Sequence, residues 1–137
     1  MVYTIYPFIF NTMDTRDTML LGLTNCMMGS YIRIREIHWN TFNQATHNLT
    51  DKIMPEIIEY IDSIIELLSG ISERPGFDIL CPVIPESHNL KEILCMLTSK
   101  VESCRIYIDV PMYAGIDKEL EDLIADLNRW TYLSCNS

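Results

Sequence analysis

At 137 residues the chain has room for one domain with a buried core, residues 1–137, and none for two domains of ordinary size, which excludes a modular enzyme. Its 48% hydrophobic and 21% charged residues are those of a globular protein, and 19 acidic against 10 basic side chains leave a formal charge of -9. Such a charge repels phosphate backbones and attracts cations, so nucleic acid is a disfavoured partner and a metal ion a favoured one.

The five cysteines, Cys26, Cys81, Cys95, Cys104 and Cys135, are odd in number and include no C-x-x-C pair. Neither a disulfide framework nor a thiolate zinc site is suggested, and a cytoplasmic location is expected. The opening run from Met1 to Phe10 is apolar but lacks a basic flank and a small-residue cleavage pattern. It is also shorter than the ~20 residues needed to span a bilayer, so neither a signal nor a membrane anchor is expected. The sequon Asn48-Leu49-Thr50 carries no weight without an export signal.

Apolar residues at Leu20, Leu23, Met27, Tyr31 and Ile34 predict a first amphipathic helix from Asp14 to about Trp39, with Asp14 or Thr15 as its cap. After the polar stretch Asn40 to Thr46, the pattern Ile53, Ile57, Tyr60, Ile61, Ile64, Leu68, Ile71 predicts a second helix ending near Gly70. Pro55 either kinks this helix or marks its start. Ser87 is the expected cap of a third helix through Leu90, Ile93, Leu94, Leu97, Val101 and Ile108, stopping before Pro111. Gly115 precedes a fourth, with Ile116, Leu120, Leu123, Ile124, Leu127 and Trp130 on one stripe.

The connection between the second and third helices is long and rich in helix breakers. Sixteen extended residues reach at most ~55 Å, enough to run the ~37 Å length of a 25-residue helix. The expected fold is therefore all-α: a four-helix bundle with a long crossover between the second and third helices, the ferritin-like arrangement, as opposed to plain up-down-up-down topology.

Three histidines are present, and His38 and His47 flank the break between the first two helices, which points to a metal site. From His47 the acids Asp51, Asp62 and Glu66 follow at offsets of 4, 15 and 19. On a helix they lie about 40°, 60° and 100° around the axis from it, on one face. Yet the pair His47/Asp51 stands roughly 16 Å or more from Asp62/Glu66 along that helix, whereas each ligand must approach a metal to about 2 Å. One chain cannot close such a site. A second copy packed antiparallel about a two-fold axis would bring its Asp62 and Glu66 opposite the first copy's His47 and Asp51. Imidazole and carboxylate without thiolate suit iron(II), manganese or zinc. The same polar residues also fit the solvated arc opposite Ile53, Ile57, Ile61, Ile64 and Leu68, so a structural role stays open. His38 also suits a helix end, and His88 a helix N-terminal turn.

The run Ile37-His38-Trp39-Asn40, followed by His47, Asp51, Asp62 and Glu66, resembles the Dps-type mini-ferritins, DNA-protection proteins of starved cells. Those carry His-Trp-Asn-like residues at the end of the first helix, then a His with acids at the same offsets along the second. The resemblance covers roughly residues 14 to 71 by motif and the rest by helix order and crossover. It implies a ferroxidase centre at a two-fold interface, with His38, His47 and Asp51 from one subunit and Asp62 and Glu66 from its mate. It also implies a shell of twelve subunits that stores ferric iron, consumes peroxide and protects against oxidative damage. The span from His38 to His47 is three residues shorter than is usual there, and looks like divergent ferritin-like proteins of phages and large DNA viruses. The Ile- and Asn-rich, Ala-poor composition suits an AT-rich viral genome. DNA binding does not transfer, because the Lys-rich terminal extension has no counterpart: the first basic residue is Arg16 and the tail from Ser134 to Ser137 is uncharged.

Two functions follow as expectations. The first is iron(II) oxidation by peroxide or oxygen in a homo-oligomer that is at least a dimer, with the acids Asp117, Glu119, Glu121, Asp122 and Asp126 of the fourth helix drawing or nucleating iron. The second is a non-catalytic helical interaction or virion protein on the same scaffold. A manganese or zinc protein without redox turnover would use the same ligands.

Overall fold

The computed structural model describes residues 2–72 and 81–135, with side chains from Thr15 onward. Four long helices carry the chain: α1 (Val2–Asn40), α2 (Gln44–Ser72), α3 (Leu90–Tyr107) and α4 (Ala114–Cys135), the last led in by a 3-10 turn at Pro111–Tyr113. No strand occurs among the described residues.

Each helix turns its apolar stripe inward. Leu20, Leu23, Met27 and Ile34 of α1 meet Ile53, Ile57, Ile64 and Leu68 of α2, Ile93, Leu94, Leu97 and Val101 of α3, and Ile116, Leu120, Leu127 and Trp130 of α4 in one buried core. Full burial of such a side chain contributes roughly 1.5–3 kcal/mol, so the stripes are enough to align the helices. Local chemistry sets the ends. The Asn43 side chain accepts from the Thr46 amide at 2.9 Å and caps α2. Asn89 does the same for α3, accepting from the Glu92 amide at 3.0 Å. The Ile108 amide closes α3 on the Cys104 carbonyl, and Pro111 follows.

The packed pairs are α1 with α2, α3 with α4, α2 with α4, and α1 with α3. That leaves α1 and α4, and α2 and α3, on the diagonals, whereas an up-down-up-down bundle sets its second helix beside its third. Directions follow from the contacts. The start of α3 lies beside the far end of α1, where Arg33 meets His88, and its end beside the near part, where Arg16 donates to the Tyr107 carbonyl. Leu67 stands against Gly115, Tyr60 bonds Asp126, and Leu133 shares a groove with Ala45, so α4 runs antiparallel to α2.

The described part of the crossover lies on α1. The Val83 amide donates to the Asn25 carbonyl at 3.1 Å, and Arg33 Nε donates to the Pro85 carbonyl at 2.9 Å. Gly29 makes the approach possible, because a Cβ there would sit 1.8 Å from the Val83 carbonyl oxygen. Residues 73–80 of this connection lie outside the described residues.

Four expectations need correction. The first helix begins at Val2, so positions 14 and 15 lie in its interior and are not its start. The second begins at Gln44, within the stretch expected to interrupt the pattern, and Pro55 lies inside it, as one of its two readings had it, which places His47 and Asp51 on helix. Asn89, not Ser87, caps α3; Ser87 instead donates to Glu92 Oε2 at 2.6 Å. The fourth helix starts at Ala114, because the 3-10 turn feeds into it before Gly115.

Candidate metal centre

The three-residue corner between α1 and α2 folds the end of one helix back over the start of the next. It brings His38 and His47 together, their rings stacked with centroids 4.0 Å apart and planes 24° from parallel. Thr50, fully buried, organises the pair. Its Oγ1 lies 2.9 Å from the Thr46 carbonyl and 3.0 Å from the His47 carbonyl, so its single proton goes to a backbone oxygen. His38 Nδ1, 2.9 Å from the same hydroxyl, must then be the donor. In the neutral ring that network assigns the tautomer: Nδ1 carries the proton and Nε2 presents its lone pair. An imidazole that donates through one nitrogen while the other is free is the form that ligates metals.

His38 also stands in the last turn of α1, where the helix's negative pole favours a bound cation. Asp51 follows His47 by one turn and is exposed. Because Pro55 has no N–H, the Asp51 carbonyl lacks its intrahelical partner.

Asp62 and Glu66 are exposed farther along α2. With α2 helical throughout, their separation from His47 and Asp51 along the helix runs from roughly 16 Å, Asp51 to Asp62, to roughly 28 Å, His47 to Glu66. Among the described residues no three His, Cys, Asp or Glu side chains converge within one chain, and neither Asp62 nor Glu66 enters an ion pair. The single chain thus brings His38 and His47 together, keeps Asp51 one helical turn from His47, and leaves the other two carboxylates apart.

The donor set itself, two imidazoles and three carboxylates, fits iron(II), manganese or zinc. Thr50 was not visible as a site residue in the sequence; its only signal is its place three residues after His47.

The acids of α4 are largely spent on structure. Asp117 takes two bonds from Arg105, at 2.7 and 3.2 Å, and that guanidinium holds its carboxyl below the usual range. Glu121 is 3.9 Å from Arg105, Asp122 pairs with Lys118, and Asp126 with Arg129. Glu119 and Asp126 do face Glu56, Glu59, Tyr60 and Ser63 across a cavity of about 260 Å³. There the Tyr60 hydroxyl donates to Asp126, and burial followed by that bond pushes the phenol up. His88 lies just before α3, its Nε2 2.9 Å from Arg33 Nη1, and must accept because a guanidinium only donates.

Compared with protein-family models, with curated proteins and with solved structures, the chain matches none.

Proposed function

We propose that this chain is a ferritin-like, Dps-type protein that binds iron(II) and oxidises it with peroxide or oxygen at sites shared between two copies, retaining the ferric product. The observation that carries the reading is the Thr50-locked His38, stacked on His47 with Asp51 one turn away, open to solvent at one end of α2. The helix order and the diagonal placement of α2 and α3 support the ferritin-like assignment. Iron is the substrate: each ion gives up one electron, and peroxide or oxygen takes up the electrons with protons from solvent. The chain's own work is to bind and orient. His38 and His47 supply neutral nitrogen donors, Asp51 a carboxylate, and the second copy's Asp62 and Glu66 the remaining charge, so three carboxylates offset a multiply charged ion.

The test is anaerobic loading with iron(II) followed by peroxide, read as ferric absorbance. His47→Ala and Asp62→Ala should each collapse the rate. Mixing the two variants should restore part of it, since a mixed dimer rebuilds one whole site. Thr50→Val, which keeps the shape and removes the hydroxyl, should slow oxidation 10- to 100-fold, as expected for loss of a group orienting a ligand. Oxidation at equal rates by wild type and all three variants would refute the proposal.

A second reading, a non-catalytic helical interaction protein, is favoured by Phe42 and Trp39 at the same corner, 107% and 67% exposed. Metal content after purification without chelator separates the two.

A further inference from the structure

Arg35 stands out on the open flank of α1. Its Nη2 and Nε donate to the Tyr31 hydroxyl at 2.7 and 3.2 Å, and its guanidinium carbon lies 5.3 Å from the Tyr31 ring and 5.6 Å from the Trp39 ring. The guanidinium is therefore fixed in place before it meets any partner. Among the described residues two of its five N–H donors are used. Among the described residues it pairs with no carboxylate. A rigid arginine between two aromatic rings is the composition of an interface anchor.

What it faces follows from helix geometry. The His38–His47 stack marks the seam between α1 and α2. Around α1, Arg35 lies about 60° from His38 on the side away from buried Ile34; around α2, Asp51, Asp62 and Glu66 lie about 40° to 100° from His47 on the side away from buried Ile61. Arg35 and the candidate ligands thus share one outer face. That face is polarised along its length, with Arg35, His38 and His47 toward one end and, toward the other, Asp62 and Glu66, which enter no ion pair among the described residues.

An antiparallel second copy would match opposite charges at both ends. The two-fold axis that joins His47 to the mate's Glu66 and Asp51 to the mate's Asp62 crosses α2 midway between Glu56 and Ile57. Because His38 is level with Thr50, Arg35 is level with Ile53, and the axis carries that level to position 60 of the mate. The mate's Asp62 is then about 3 Å away along the helix, within reach of a guanidinium.

The geometry points to Arg35 as the anchor of this interface, holding the Asp62 carboxylate of a second copy. It acts as a positioning residue, since it fixes a carboxylate that serves the metal site and does not itself touch the metal. This rests on the shared site proposed above, so the closing experiment reads dimerisation in chelator, without iron, by sedimentation equilibrium.

Arg35→Glu and Asp62→Lys should each weaken the wild-type dimer at least tenfold with helical circular dichroism unchanged. Mixed in equal amounts, they should recover wild-type affinity, because the mixed dimer contains one original and one reversed pair. Tyr31→Phe, which unlocks the guanidinium and keeps its charge, should weaken the dimer a few-fold. A dimer indifferent to Arg35→Glu, or no recovery on mixing, overturns the anchor and leaves iron oxidation standing. A dimer that obeys the swap but fails to oxidise iron keeps the anchor and overturns the iron reading. A wild-type monomer at every concentration overturns both.

Discussion

Gly29→Ala tests the crossover at a single atom. In an exposed helix interior this change stabilises by about 1 kcal/mol, since alanine restricts the unfolded backbone. Here the new carbon would lie 1.8 Å from the Val83 carbonyl oxygen. Carbon and oxygen ordinarily settle ~3.3–3.6 Å apart, so the crossover must retreat by ~1.5 Å. That stretches the Val83–Asn25 bond beyond hydrogen-bond range from its 3.1 Å, and pulls the Pro85 carbonyl off Arg33 from 2.9 Å. One neutral bond and one from a charged donor together contribute about 3 kcal/mol. Set against the ~1 kcal/mol helix gain, the net loss is about 2 kcal/mol, or a fall in Tm of roughly 6 to 10 °C for a domain of this size. Thermal unfolding followed by circular dichroism measures it. A Tm that rises or stays level would mean that the crossover does not lie on α1, and the reasoning would fail.

Two further outcomes are expected. Pro55→Ala should raise stability by ~2 kcal/mol, because it returns an N–H to the Asp51 carbonyl inside α2 while freeing the unfolded chain slightly, whereas a proline at a helix start would give no gain; urea titration decides. Tyr113, pushed up to about 12 by burial and by its bond to buried Asp17 at 2.8 Å, contributes stability that is complete below its unfolded value of 10.0 and lost as pH rises toward 12, so Tyr113→Phe should flatten the alkaline limb of a stability-against-pH curve and an unchanged limb would count against it.

Much of the bundle was legible because it is written in apolar spacing. Leu20, Leu23, Met27 and Ile34, and likewise Ile53, Ile57 and Ile64, are buried where their periodicity put them. Helix ends were harder. Asp14 and Thr15 have capping side chains, but a capping residue stops a helix only if the preceding backbone leaves it, and α1 continues back to Val2. Ser87 and Asn89 are both good caps two residues apart, and only the observed bond to the Glu92 amide separates them.

For the site, the offsets from His47 exposed a shared face, since α2 is helical from Gln44. The stacking of His38 on His47 depends on how two helices cross at a corner, which no linear spacing encodes. Thr50 and Arg35 were invisible for the same reason: each acts through a neighbour brought up by the fold.

The alternating directions of neighbouring helices have an electrostatic consequence. Around the square of α1, α2, α4 and α3, each macrodipole lies beside one of opposite sense, so their fields cancel a short way outside the bundle. The long-range potential is then set by side chains alone. An incoming cation is drawn by the formal -9, and backbone polarity adds a local preference only within a few ångströms of a helix C-terminal end, such as the last turn of α1 that carries His38.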